Sequence, residues 1–197
     1  MARDMTPVLK KCRSLGIEPA VLGIDKKSNR NRNVRPKKMS EYGTQLKEKQ
    51  KAKFIYGVLE KPFRNYYEKA ANSKGMTGEN LMRTLESRLD NVVFRMGLAR
   101  TRREARQVVD HKFILVNGKK VNIPSYLVKA GDVITVTEKG KSSQRFKDIT
   151  EATGGRIIAD WIDYNADTMT GTIKELPNRD QIDVPVNEML IVELYSK

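Results

Sequence analysis

The spacing of apolar positions changes along the chain, and the change divides it into elements. Over Thr44–Glu60, Leu46, Gln50, Phe54 and Val58 step by four, and Lys47, Lys49, Lys51 and Lys53 cover the remaining positions. A step of four places these residues along one side of a helix. A second helix is predicted at Pro62, a residue suited to a first helical turn, with Phe63, Tyr66, Tyr67, Ala70 and Ala71 facing inward. Lys74-Gly75 ends it, and Thr77-Gly78-Glu79-Asn80 starts the next. Leu85, Leu89, Val92, Val93 and Met96 then share one face of a 3.6-residue period, which stops at Gly97. This pattern predicts one continuous helix over 85–96.

A further helix opens at Thr101, with Glu104 three residues on, the spacing of a capping box. Ala105, Val108 and Val109 face inward, which leaves Arg102, Arg103 and Arg106 on the outer side. With Arg95 and Arg100 they place five guanidinium groups around one helix–loop–helix. The pattern then turns to β. Phe113–Val116 runs into Asn117-Gly118 and out through Lys119-Lys120-Val121-Asn122-Ile123. Asn-Gly between apolar runs signals a tight hairpin, because both residues accept positive φ. Gly131-Asp132 turns the chain into a strand at Val133–Val136. Lys139, Lys141, Arg145 and Lys147, set around Gly140 and Ser142-Ser143, read as a basic loop. Trp161–Tyr164 and Thr168–Ile173, joined by Asn165-Ala166-Asp167, predict another hairpin.

The ends of the chain differ in charge. Ser28–Lys38 holds Arg30, Arg32, Arg35, Lys37 and Lys38 with almost nothing to bury, the composition of a basic arm that orders only on a partner. From Asp160 onward eight acids stand against three bases, so this segment is expected away from phosphate. The net charge is nevertheless +14 and the pI about 9.8, which points to a polyanion partner. Nucleic acid is favoured over a membrane, since the basic residues accompany a globular pattern and no run approaches the ~20 apolar residues of a span. Met1-Ala2-Arg3-Asp4 has no apolar stretch behind it, so no signal peptide is expected.

Candidate chemistry is sparse. The single cysteine, Cys12, and single histidine, His111, allow neither an internal disulfide nor a tetrahedral zinc site. Gly154-Gly155-Arg156 lacks the lysine and spacing of a phosphate loop, and no serine or cysteine stands in a nucleophile motif. The expectation is a binding protein with no catalytic residues, cofactor, metal or small-molecule substrate. Arg88 and Asp90 are expected to contact each other within the protein.

Arg88-Leu89-Asp90, Gly97–Arg102, Ala105–Val109, Val116-Asn117-Gly118, Ile123-Pro124-Ser125 and Gly131-Asp132 resemble the RNA-binding module named after ribosomal protein S four. The module also occurs on enzymes such as pseudouridine synthases. Here, however, the flanks Glu41-Tyr42-Gly43, Glu48–Lys51, Ile55–Val58, Phe63-Arg64-Asn65, Gly78–Leu81 and Val186–Ser196 resemble the S four family of bacterial-type small-subunit ribosomal proteins. Many members carry four cysteines near the N-terminus, so a lone Cys12 implies the metal-free branch. The resemblance implies an α+β fold: a basic arm over 1–43, a helical domain over 44–86 completed by about 175–197, the module over 87–150, and a β-hairpin extension over 151–174. It also implies binding to the 5′ domain of small-subunit rRNA, a role in subunit assembly and decoding accuracy beside proteins S five and S twelve, and a cytoplasmic, ribosome-bound location, or an organellar stroma or matrix. Repression of its own mRNA is a possible secondary role in the family. The expected RNA contacts are Arg30, Arg32, Arg35, Lys37, Lys47, Lys51, Arg95, Arg100, Thr101, Arg102, Arg103, Arg106, Gln107, His111, Lys112, Asn117, Lys119 and Lys120.

Overall fold

The structure, a computed structural model, describes residues 6–26 and 39–196. In chain order its helices and strands are α1 (Val8–Leu15), α2 (Glu41–Tyr56), α3 (Glu60–Ala71), α4 (Thr77–Glu86), α5 (Leu89–Arg95), α6 (Arg102–Asp110), β1 (Ile114–Val116), β2 (Lys119–Lys120), β3 (Val133–Val136), α7 (Glu138–Lys141), α8 (Gln144–Thr153), β4 (Ile162–Asn165), β5 (Thr170–Ile173) and α9 (Glu188–Ser196). The fold is α+β. Two compact units divide within α4: Met1–Leu81 with Val184–Lys197, and Met82–Asp183.

The first unit is helical. Ser40 Oγ accepts from Gly43 N at 3.2 Å and starts α2 three residues before the predicted boundary. Phe54 and, just past the end of the helix, Val58 are buried as predicted, and the inward face otherwise differs. Leu46 and Gln50 are half-buried, whereas Gln45, Glu48, Ala52 and Ile55 are buried. A hydrophobic step of four missed this because two of the buried groups are polar, and their partners lie far along the chain. Gln45 Nε2 donates to Glu193 Oε2 at 3.1 Å, and Glu48 Oε2 accepts from Asn187 N at 3.1 Å. These bonds satisfy groups that would otherwise be costly to bury. They also seat α9 on α2, so the end of the chain completes the early helices. Phe63, Tyr66 and Ala70 are core residues of α3, while Tyr67 stacks on Tyr195 with ring centroids 4.5 Å apart.

The second unit holds a five-stranded antiparallel sheet in the order β2-β1-β3-β5-β4. Val92, Met96, Val108, Val109, Ile114, Ile134, Phe146, Trp161 and Ile173 form its core between helices and sheet. The helix predicted over 85–96 is broken in two. Arg88 is extended (φ −70°, ψ 137°) and bridges to Leu127. The first amides of α5 donate outside the helix, Leu89 N to Tyr126 O at 2.8 Å and Asp90 N to Pro124 O at 3.2 Å. A distant loop thus satisfies donors that a helix start leaves unpaired. Periodicity survives the break because both halves bury the same face.

The Asn117-Gly118 turn has φ of 49° and 77°, as predicted for a two-residue hairpin. β2 is shorter than the predicted run to Ile123, and only Val121 N continues the ladder, to Ile114 O at 3.2 Å. The stretch read as a basic loop is helical. Thr137 Oγ1 caps α7 by accepting from Gly140 N at 3.3 Å, and Phe146, Ile149 and Thr153 bury one face of α8.

Candidate RNA-binding surface

The basic residues of α5, α6 and the hairpin separate into two groups. In the first, the charge is spent inside the protein. Arg95 makes paired hydrogen bonds to Glu86, Nε at 3.0 Å and Nη2 at 2.9 Å, and Nη2 lies 2.6 Å from Asp183 Oδ1. Burial disfavours its charge, but Glu86 and Asp183 more than offset that, and its pKa rises. Arg102, predicted to face outward, is buried: Nε donates to Asn91 Oδ1 at 2.8 Å and the guanidinium lies 4.3 Å from the Phe94 ring centroid. Outward placement by helical period failed here because N-terminal helix residues lean back over the preceding turn, where Phe94 lies. Arg88 and Asp90 contact each other as expected, with Nε to Oδ1 at 3.0 Å and Nη2 to Oδ2 at 2.5 Å.

Other expected contacts also have internal partners. Thr101 Oγ1 accepts from Glu104 N at 3.2 Å, while the Glu104 carboxylate reaches back to Arg100 N at 2.8 Å. The cap is therefore a capping box whose return bond falls one residue early. Asn117 ties the hairpin to β3: Nδ2 donates to Asp132 Oδ1 at 2.9 Å, and Oδ1 accepts from Val133 N at 2.9 Å. Gln107 Oε1 accepts from Arg145 Nη2 at 3.2 Å. Arg106 is half-buried, with Nη1 3.8 Å from Asp90 Oδ2.

The second group faces solvent. Arg100, Arg103, His111, Lys112, Lys119 and Lys120 are exposed. Among the described residues no carboxylate forms an ion pair with Arg103, Lys112, Lys119 or Lys120. In the first unit, Lys47 is half-buried on α2 and Lys51 pairs with Glu48 at 2.5 Å. Arg30, Arg32, Arg35 and Lys37 lie outside the described residues.

Sequence reading missed Arg156. Its guanidinium donates to the carbonyls of Phe94 at 3.2 Å, Ala99 at 3.1 Å and Arg100 at 3.0 Å, and lies 4.5 Å from the Phe94 ring centroid. It locks the α5–α6 connection from more than fifty residues away, and no local pattern signals that. Among the described residues no cluster of three metal-ligating side chains forms, and no helix is long and apolar enough to cross a membrane.

A family profile described as S4 domain matches residues 87–134, and one described as Ribosomal protein S4/S9 N-terminal domain matches residues 3–86. Curated relatives named small ribosomal subunit protein uS4 align over the full length of both chains. They include proteins of Agathobacter rectalis at 68% identity and Lachnoclostridium phytofermentans at 70%. The relative of that name from Fusobacterium nucleatum is 50% identical, again over the whole of both chains. The chain belongs to the uS4 family. This is a structural family, not an enzymatic one. The uS4 match to the S4 domain spans α5, α6, β1 and β2 and reaches into β3, and β4 and β5 lie beyond it yet share its sheet.

Proposed function

We propose that this chain is a structural constituent of the small ribosomal subunit that grips rRNA without reacting on it. The observation that carries this is the group of exposed cations, Arg103, Lys112, Lys119 and Lys120, with which, among the described residues, no carboxylate forms an ion pair. Phosphate supplies it. Guanidinium groups bind phosphate bidentately, and counterion release drives association. Arg95, Arg102, Thr101 and Asn117 shape that frame and act on RNA through it. Arg106 is half-buried in the same frame, and Lys47, Lys51, Arg30, Arg32, Arg35 and Lys37 join the contact on charge alone. The relatives' name supports the ribosomal setting.

The RNA is the 5′ domain of small-subunit rRNA. Binding a folded junction stabilises it over its unfolded alternatives by linkage, which makes the protein an early step in assembly of the subunit body. Its neighbours there are other small-subunit proteins, S five among them, its contribution extends to decoding accuracy, and its location is the cytoplasm, on the ribosome. The test is binding of the purified chain to a 5′-domain transcript and to random RNA of equal length, with hydroxyl-radical footprinting of the complex. Preference for the transcript with discrete protections is expected. Equal affinity at moderate salt sinks the reading.

A further inference from the structure

We propose that the cavity beside the hairpin is a nucleobase subsite, which takes one base unstacked from the bound RNA. The proposal rests on the RNA-binding reading above and adds a base contact to what is otherwise phosphate recognition. The cavity has a volume of about 470 Å³ and is partly open to solvent. That size falls in the range of small-ligand sites, roughly 300–1,000 Å³.

Its lining is divided by chemistry. Phe113 and Leu115, both half-buried, give it apolar surface, and Lys112, Lys120 and Lys139 bring three ammonium groups around them. The Phe113 ring is held in place. It meets Phe146 edge-on, with centroids 5.7 Å apart and planes at 68°, and its carbonyl accepts from Thr137 N at 2.9 Å. The His111 ring tilts 41° to it at 6.4 Å. A held aromatic ring in the wall of a cavity that lysines also line suits a base with its phosphates, since bases stack on such rings. Glu138 also lines the cavity, with its side chain 88% exposed. Glu138 Oε1 is paired with Lys141 Nζ at 2.9 Å, which leaves the other oxygen to accept from the N–H edge of a base while the phosphates stay at the lysines.

The backbone supplies a second, independent observation. Lys112 has φ of 61°, the left-handed region in which glycine is at ease and a long side chain is strained. The turn it makes, with Lys112 N donating to Val109 O at 2.9 Å, needs no side chain at all. A lysine stands on a backbone that costs glycine less and lines the cavity, and strain of this kind gathers at functional sites.

The experiment uses the full chain, a 5′-domain small-subunit rRNA transcript, and short-wave ultraviolet crosslinking read by mass spectrometry. A base adduct on the peptide carrying His111–Phe113 is expected. Phe113→Leu should lower affinity for the transcript about tenfold, the worth of one stacked base, at every salt concentration. The slope of log affinity against log salt should not change, because no phosphate contact is lost. Emission of the lone Trp161 reports whether the variant folds. If it does not, His111→Ala, an exposed change, and the crosslink position on the unaltered chain decide instead. Binding of the transcript with no adduct at 111–113 and no effect of either variant overturns the subsite and leaves the RNA reading standing. Failure of the unaltered chain to bind the transcript overturns both. An adduct on this peptide from adenosine or uridine monophosphate, with none from the bound transcript, would mean a free-nucleotide site and overturns the proposal.

Discussion

The guanidinium of Arg102 lies 4.3 Å from the centroid of the Phe94 ring and donates to Asn91, whereas Arg103, the next residue, is exposed. Two adjacent arginines on one helix thus do different work. Arg102→Ala strips a buried hydrogen bond and a cation–π contact, and should cost about 2 kcal/mol in urea denaturation. Arg103→Ala should stay within ~0.5 kcal/mol of the parent. It should instead weaken transcript binding and reduce the salt slope by about 0.7–0.9, the signature of one lost phosphate contact. The reverse assignment of the two phenotypes would place the RNA face elsewhere.

Lys119 and Lys120 tip the hairpin, and their side chains have no role in the turn, which Asn117 and Gly118 make alone. Lys119→Gln with Lys120→Gln should leave unfolding by urea unchanged. The salt slope should fall by roughly 1.4–1.8, two contacts' worth. Salt-titrated filter binding measures it.

Much of this architecture can be read from the chain, and the failures have a common cause. The Asn117-Gly118 turn, the Thr101 cap and the alternation at β4 and β5 are local signals, and each element stands where its signal lies. What could not be read depends on partners distant in sequence. Arg88 breaks a periodic run because Tyr126 and Pro124 offer carbonyls to the next amides. Gln45 and Glu48 face inward because α9 returns to meet them. Arg102 and Arg95 look like surface cations until Phe94, Glu86 and Asp183 are placed beside them. In the candidate site the exposed cations were legible from composition and spacing. Their division from the structural ones was not, because burial of a charge is decided by whichever partner reaches it.

Glu60 gathers Lys49 Nζ at 2.9 Å, Lys53 Nζ at 2.7 Å and the Tyr195 hydroxyl at 2.9 Å. Partial burial opposes its ionisation, but the bonds from Lys53, Lys49 and Tyr195 prevail and lower its pKa from 4.5 to about 2. Burial and the same carboxylate hold the Tyr195 hydroxyl protonated beyond its usual range. A carboxylate depressed on folding stabilises the folded state above its unfolded pKa, and that stabilisation fades as pH falls from about 4.5 toward 2. Its side chain is 47% exposed, so screening holds the effect below about 1 kcal/mol. Glu60→Gln should be less stable than the parent at pH 7, with the gap closing in acid. A gap that stays constant between pH 7 and pH 3 would show the carboxylate is not ionised by its neighbours.

Gly140 lies where α7 packs on β3. A Cβ there would stand 2.6 Å from Val136 Cγ1 and 3.4 Å from atoms of both Phe113 and Phe146. Val136 is buried and branched at Cβ, so it has no rotamer to yield into. Gly→Ala inside a helix ordinarily stabilises by up to ~1 kcal/mol. Here overpacking should reverse the sign and cost about 1–3 kcal/mol. Urea denaturation checks the sign.

Lys112 allows stability and binding to be set against each other. Its φ of 61° costs a lysine about 1–2 kcal/mol relative to the right-handed region, and costs glycine almost nothing. Glycine also gains freedom in the unfolded chain, which takes back about 0.4–1 kcal/mol. Lys112→Gly should therefore stabilise the free protein by about 0.5 kcal/mol, seen as a higher urea midpoint. It should also weaken transcript binding and reduce the salt slope by nearly one contact. Lys112→Asn, which tolerates the same backbone, should follow it in direction on both counts. Were Lys112→Gly both less stable and unchanged in binding, the side chain would be holding the turn, and the strain would need another cause.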